Sequence, residues 1–138
     1  TIAGMGSFLI VEILEKNKAY LNKVKQFYLQ PNANTDHLRK YLFKNHFKII
    51  DEKMIKDGHH VYEMMVVENT NQDIQYNQED MMFGPVLRKN KDELFIRYWQ
   101  KQYQTYLKIM KDLPSNHPRY LELKKQKQLI EGELNESL

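Results

Sequence analysis

Thr1-Ile2-Ala3-Gly4-Met5-Gly6-Ser7 opens the chain, and Phe27-Tyr28-Leu29-Gln30-Pro31-Asn32 repeats its design further on. In each, a short run of β-forming residues stops at a turn-forming one, and an apolar stretch of helical period follows. After the first, Phe8, Leu9, Val11, Ile13 and Leu14 recur at near-helical spacing and lead towards Tyr20-Leu21. Ser7 is the expected N-cap, because its hydroxyl can accept a bond from an orphaned amide. The second strand is expected over residues 25–30, broken by Pro31-Asn32-Ala33-Asn34. Thr35 or Asp36 then caps a helix whose buried stripe is Leu38, Tyr41, Leu42 and Phe43.

Residues 47–55 read as a further strand, Asp57-Gly58 as a tight turn, and residues 59–68 as the returning strand. Strand, helix, strand, helix and then a hairpin is an α/β order, with a mainly parallel sheet and an antiparallel end. Residues 69–78 are polar and read as a surface loop, and Phe83-Gly84-Pro85 as another turn.

The last third changes period. Phe95, Trp99, Gln102, Tyr106, Ile109 and Leu113 form a heptad seam, and Tyr120, Leu123, Lys127, Ile130 and Leu134 form a second. The connection Leu113-Pro114-Ser115-Asn116-His117-Pro118 stops one helix and turns the chain, which predicts an antiparallel coiled-coil-like hairpin. The expected division is therefore residues 1–90 and residues 91–138.

Composition narrows the function classes. The chain has 138 residues, room for one modest core, or a small core with an appendage. It has no cysteine, which excludes a disulfide framework and any thiolate metal site. No apolar run reaches the roughly 18–20 residues of a membrane-spanning helix, so no membrane association is expected and a cytoplasmic protein is. The net charge of +3 is spread thinly: residues 1–90 carry 12 basic and 11 acidic side chains, residues 91–138 carry 9 and 7. A polyanion site must therefore come from local clustering rather than a global field.

Two strand ends carry the candidate chemistry, Ala3-Gly4-Met5-Gly6 and Gln30-Pro31-Asn32. Ligands of open α/β sheets bind beyond the carboxyl ends of the strands. Glycine there lets the backbone approach a ligand, and carboxamides can read a base edge or a cofactor. Either motif alone is equally a plain strand-to-helix turn.

Taken together and in this order, with Phe83-Gly84-Pro85 and Leu87 preceding a helical hairpin, the motifs resemble the TrmK family. Its members are Rossmann-like, S-adenosylmethionine-dependent tRNA adenine N1-methyltransferases with a coiled-coil extension. The resemblance implies methyl transfer from S-adenosylmethionine to N1 of adenine 22 of tRNA. It implies that Gly4, Met5 and Gly6 lie at the catalytic centre, beside the methyl donor and the target base. Ala3, Gly4, Met5, Gln30, Pro31 and Asn32 would then contact the cofactor. The family usually has a second glycine where this chain has Ser7. Its glycine-rich cofactor loop and ribose-binding acid have no counterpart here and would lie upstream of Thr1. The chain is thus expected to be a carboxy-terminal portion holding only the later strands of the sheet. Such a piece is expected to be inactive alone, and to self-associate through the Thr1–Met5 edge or the hairpin.

Basic residues suited to phosphate contact are Arg88, Lys89, Lys101, Lys124, Lys125 and Lys127, with Lys91, Lys108 and Arg119 near them in sequence. The alternative for all of them is a solvated helix surface. Tyr98, Trp99 and Tyr103 can stack bases, although heptad spacing places Trp99 in a core. His59-His60 beside Glu63 does not read as a metal site, because adjacent strand residues point to opposite faces. His37 and His46 read as surface residues. The competing functional readings are a non-catalytic RNA- or protein-binding module working through the hairpin, and a dimerisation element.

Overall fold

A computed structural model describes the backbone of residues 1–138 and every side chain except that of residue 136. The chain forms two compact units, Thr1–Asn90 and Lys91–Leu138.

The first unit runs β1 (Ile2–Met5), α1 (Ser7–Lys16), α2 (Lys18–Leu21), β2 (Phe27–Pro31), α3 (Thr35–Lys44), β3 (Phe47–Asp57), β4 (His60–Asn69), α4 (Gln78–Phe83) and α5 (Pro85–Asn90). The sheet order is β1-β2-β4-β3. β1 and β2 are parallel, while β4 runs antiparallel to both β2 and β3. The hairpin therefore enters the sheet through its second strand, and two of the three pairings are antiparallel rather than the mainly parallel set expected. Strand order depends on which strand of the hairpin pairs with β2, and local pattern does not encode that.

Apolar side chains of α1 and α3 meet those of the sheet. Ile10, Leu14, Leu29, Leu38, Leu42, Ile49, Met65 and Val67 are buried together, and Phe27 meets Phe47 edge-on at 5.6 Å. The buried line of α1 is Ser7, Ile10 and Leu14, so Phe8 and Leu9 point outward instead of joining the stripe. Positions 7, 10 and 14 are spaced three and four apart, which places them on one helical face.

A bulge between Ile49 and Asp51 rephases β3. Ahead of it Phe47 and Ile49 are buried; beyond it Glu52 and Met54 are. Without the extra residue Glu52 would face the other side of the sheet.

Ser7 does not cap α1. Gly6 is the N-cap, and the Ser7 hydroxyl instead reaches the carbonyl of Ala33. Asn34, with φ of 54°, holds the cap position of α3; asparagine tolerates that left-handed conformation. Part of the expected polar loop and both sides of the Gly84 turn are helical, as α4 and α5. Asn77 and Asp80 form a reciprocal capping box that starts α4.

The second unit is α6 (Glu93–Lys111), α7 (Pro118–Leu134) and a final 3-10 turn, Asn135–Ser137. Asp92 caps α6 by accepting from the Phe95 amide at 2.9 Å, and Pro118 occupies the first turn of α7. The helices pack together, with the Tyr103 hydroxyl donating to Glu131 at 3.4 Å and Lys127 Nζ 5.9 Å above the Tyr103 ring. Met110, not Ile109, is the buried residue near the end of α6. Eleven residues from Trp99 bring a straight helix close to three full turns, whereas a strict heptad count lands on Ile109. Among the described residues no helix is long and apolar enough to cross a membrane.

Candidate active site

β1 and β2 lie side by side with Ala3 opposite Gln30 and Met5 opposite Pro31. Both strand-end motifs therefore lie together at the carboxyl ends of two parallel neighbours, where α1 and α3 begin. Their loops are tied together by three bonds: Asn32 N–H donates to the Met5 carbonyl (3.1 Å), Ser7 N–H to the Ala33 carbonyl (3.2 Å), and Ser7 Oγ to that same carbonyl (2.6 Å). Ser7 is fully buried while Ala3, Gly4 and Asn32 are exposed, so the loops are anchored from beneath and open above.

Gly4 sits at φ of +75°, at the irregularity between Ala3 and Met5. That conformation favours glycine, and a Cβ there would meet nothing within 4 Å. The glycine is demanded by backbone shape and leaves open space above it. At Gly6 a Cβ would make only ordinary contact, 3.7 Å from Asn32 Oδ1. All seven sequence-derived centre residues, Ala3, Gly4, Met5, Gly6, Gln30, Pro31 and Asn32, are thus brought to one place.

A second constellation escaped the sequence reading. Arg39 is fully buried, and its guanidinium donates to Glu52 Oε2 (Nε 3.0 Å, Nη2 2.9 Å), to Glu63 Oε1 (3.0 Å) and to the carbonyls of Met81 and Met82. Glu52 Oε1 accepts in turn from the Val86 amide at 2.9 Å. Burial opposes the charge on Arg39, but attraction to Glu63 and Glu52 outweighs it and holds the guanidinium above its ordinary pKa. This cluster fastens α4 and α5 to α3, β3 and β4. Gly84 lies against it: an added Cβ would fall 2.6 Å from Glu52 Oε1. The signal in the sequence was Phe83-Gly84-Pro85 itself, but not its partners.

The basic residues are placed less uniformly. Arg88 is engaged by Asp80 at 2.7 Å, and Lys127 by Glu131 at 3.2 Å. Lys89, Lys101, Lys124 and Lys125 are exposed. Among the described residues no group of three His, Asp or Glu could hold a metal ion. A cavity of about 300 Å³ lies at the other end of the strands, lined by Ile2, Ile13, Tyr20, Val24 and Tyr28 among others, and includes none of the glycine-turn residues.

Comparison with known proteins then decides the family. Residues 1–136 match the family described as TrmK, tRNA (adenine(22)-N(1))-methyltransferase. This chain belongs to the TrmK family. The tRNA (adenine(22)-N(1))-methyltransferase of Bacillus subtilis (strain 168) is 36% identical over 108 residues, covering 75% of the chain and 45% of that protein. A solved protein of the NADB-Rossmann superfamily from Streptococcus agalactiae superposes with a TM-score of 0.90 at 30% identity, over 96% of this chain and 58% of that one. A Streptococcus pneumoniae protein solved in complex with S-adenosyl-L-methionine gives a TM-score of 0.85 at 29% identity, over 97% and 60%. The TrmK chain is thus an α/β structure of Rossmann-like kind, and it spans about half the length of the curated relatives it matches.

Proposed function

We propose that this chain is the carboxy-terminal part of a methyltransferase domain, residues 1–90, joined to a coiled-coil-like hairpin, residues 91–138. In the complete protein it serves methyl transfer from S-adenosylmethionine to N1 of adenine 22 in tRNA. The observation that carries this reading is the bonding of the Gly4-Met5-Gly6 turn to the Gln30-Pro31-Asn32 turn under an open face. Membership of the TrmK family supports it, as does the cofactor held by the Streptococcus pneumoniae relative.

The chain's residues fit such a cofactor. The backbone at Gly4 is bare and open, and Gln30 and Asn32 bring carboxamides that both donate and accept. Ala3, Gly4, Met5, Gln30, Pro31 and Asn32 would hold the group, and Gly4, Met5 and Gly6 would flank the reacting atoms. S-adenosylmethionine supplies a methyl group already activated on its sulfonium. What remains for these residues is to align the base and keep water out. Adenine N1 has a free lone pair, so no side chain is needed to begin the attack. The base must leave its stack to reach the turn.

Outside the turn, exposed Lys89, Lys101, Lys124 and Lys125 supply phosphate contacts, with Arg88 and Lys127 contributing less because each is already paired. A tRNA substrate implies a cytoplasmic protein. The outer edge of β1, where the sheet ends, offers unpaired backbone groups through which this chain self-associates in isolation, which light scattering would detect.

The test is methyl transfer by the product of the complete gene, with the product nucleoside identified by mass spectrometry. 1-Methyladenine at position 22 is expected. No transfer, or undiminished transfer to a tRNA carrying guanine at that position, overturns the reading.

A further inference from the structure

Phe8 is the second residue of α1 and His37 the third of α3, so each begins the helix that follows one of the two site turns. Their rings stack with centroids 4.1 Å apart and planes 25° from parallel. Phe8 is nevertheless 61% exposed. Burial of apolar surface therefore does not explain the pair: Ile10 and Leu14 fill the core from the same helix, while Phe8 faces water. The imidazole fixes the phenyl orientation from one side and leaves the rest of the ring accessible. Ser7, next to Phe8, is bonded through its amide and hydroxyl to Ala33, which holds α1 and the start of α3 together at this rim.

An exposed, orientationally fixed aromatic face beside a site for a base is the arrangement on which unpaired nucleic-acid bases stack. We propose that the Phe8–His37 stack is a platform for an unpaired RNA base flanking the target adenine, with Phe8 the positioning residue. The proposal rests on the reading of the site as an RNA methyltransferase centre. It adds an interaction beyond the glycine turn, one that steadies the strand once the target base has left its stack. The exposure of Phe8 assigns it the flanking base rather than the target, which belongs beside the backbone of Gly4 and Gly6.

The test uses the product of the complete gene with an RNA stem-loop carrying 2-aminopurine beside the target position. Fluorescence quenching on binding is expected, lost in Phe8→Ala and in His37→Ala, and retained in Phe8→Tyr. In steady-state assays Phe8→Ala is expected to raise KM for tRNA roughly ten-fold, the size of a lost base–aromatic stack. Affinity for S-adenosylmethionine and the melting temperature should stay at their wild-type values, and Phe8→Tyr should restore KM. Quenching that survives in Phe8→Ala, an unchanged KM, or a Phe8-dependent signal confined to 2-aminopurine at the target position overturns the proposal. Absence of methyl transfer in the wild type would remove the enzymatic reading, and the quenching comparison would still decide the stack.

Discussion

Ser7 Oγ donates to the carbonyl of Ala33 at 2.6 Å, joining the turn after β1 to the turn after β2 across a gap of 26 residues. The bond lies beneath the glycine turn, so its loss would loosen the site from below. Replacing Ser7 by alanine should lower stability by about 1 kcal/mol, the net value of one such bond. It should also weaken cofactor binding in the complete protein. Urea unfolding and calorimetry would check the two effects, and identical midpoints and affinities would refute the role.

Arg39 is the residue whose loss should cost most. Arg39→Met leaves Glu52 buried without its partner and is expected to destabilise by about 3–5 kcal/mol. Adding Glu52→Met should recover part of that loss, because only the less deeply buried Glu63 then remains without its cation. A double-mutant cycle in urea reads the coupling directly.

The same variant carries a pH signature. Burial pushes the Glu52 carboxyl up, and Arg39 opposes it. With Arg39 gone, only the bond from the Val86 amide still opposes that push. An acid whose pKa is raised by folding contributes stability below its unfolded pKa and loses it as pH rises through the folded one. Arg39→Met should therefore be closest to wild type in acid and fall progressively further behind as pH rises, as denaturant midpoints across that range would show.

Gly84 has φ of +94° and faces Arg39 and Glu52 at distances too short for a Cβ. Gly84→Ala combines strained backbone with overpacking and should destabilise by about 2–4 kcal/mol. Amide exchange should show α4 and α5 opening first, since their anchors are the ones displaced.

Lys124 and Lys125 are exposed on α7. Charge reversal at both should weaken tRNA binding across sequences and lower the salt slope by about one for each phosphate left without its cation. Lys127→Glu should do less, because Lys127 is already engaged by Glu131. Equal salt slopes for wild type and the double reversal would remove the hairpin from the RNA surface.

The order of the four strands and of α1, α3, α6 and α7 was readable from the chain alone because each rests on local pattern. Gly58 announces the turn between β3 and β4 through turn chemistry, although the connecting pair is Gly58-His59, one residue later than expected. Pro118 marks the start of α7 through its missing amide. The strand-end motifs were readable for a related reason. A glycine required at positive φ, as at Gly4, is written into residue identity. Helix α4 was not readable, because its capping box of Asn77 and Asp80 stands in a polar run that resembles a loop. The outward turn of Phe8 was missed because apolar spacing does not say which of two adjacent residues meets the core.

By itself, then, the sequence determined the α/β order, the two strand-end motifs and the helical pair that follows them. These are properties of residues within a few positions of one another. Tertiary structure alone decided that β4 lies between β2 and β3, that a bulge turns Glu52 inward to Arg39, and that Ser7 binds Ala33 rather than capping its own helix. Each joins residues far apart in the chain, whose meeting depends on strand order and register.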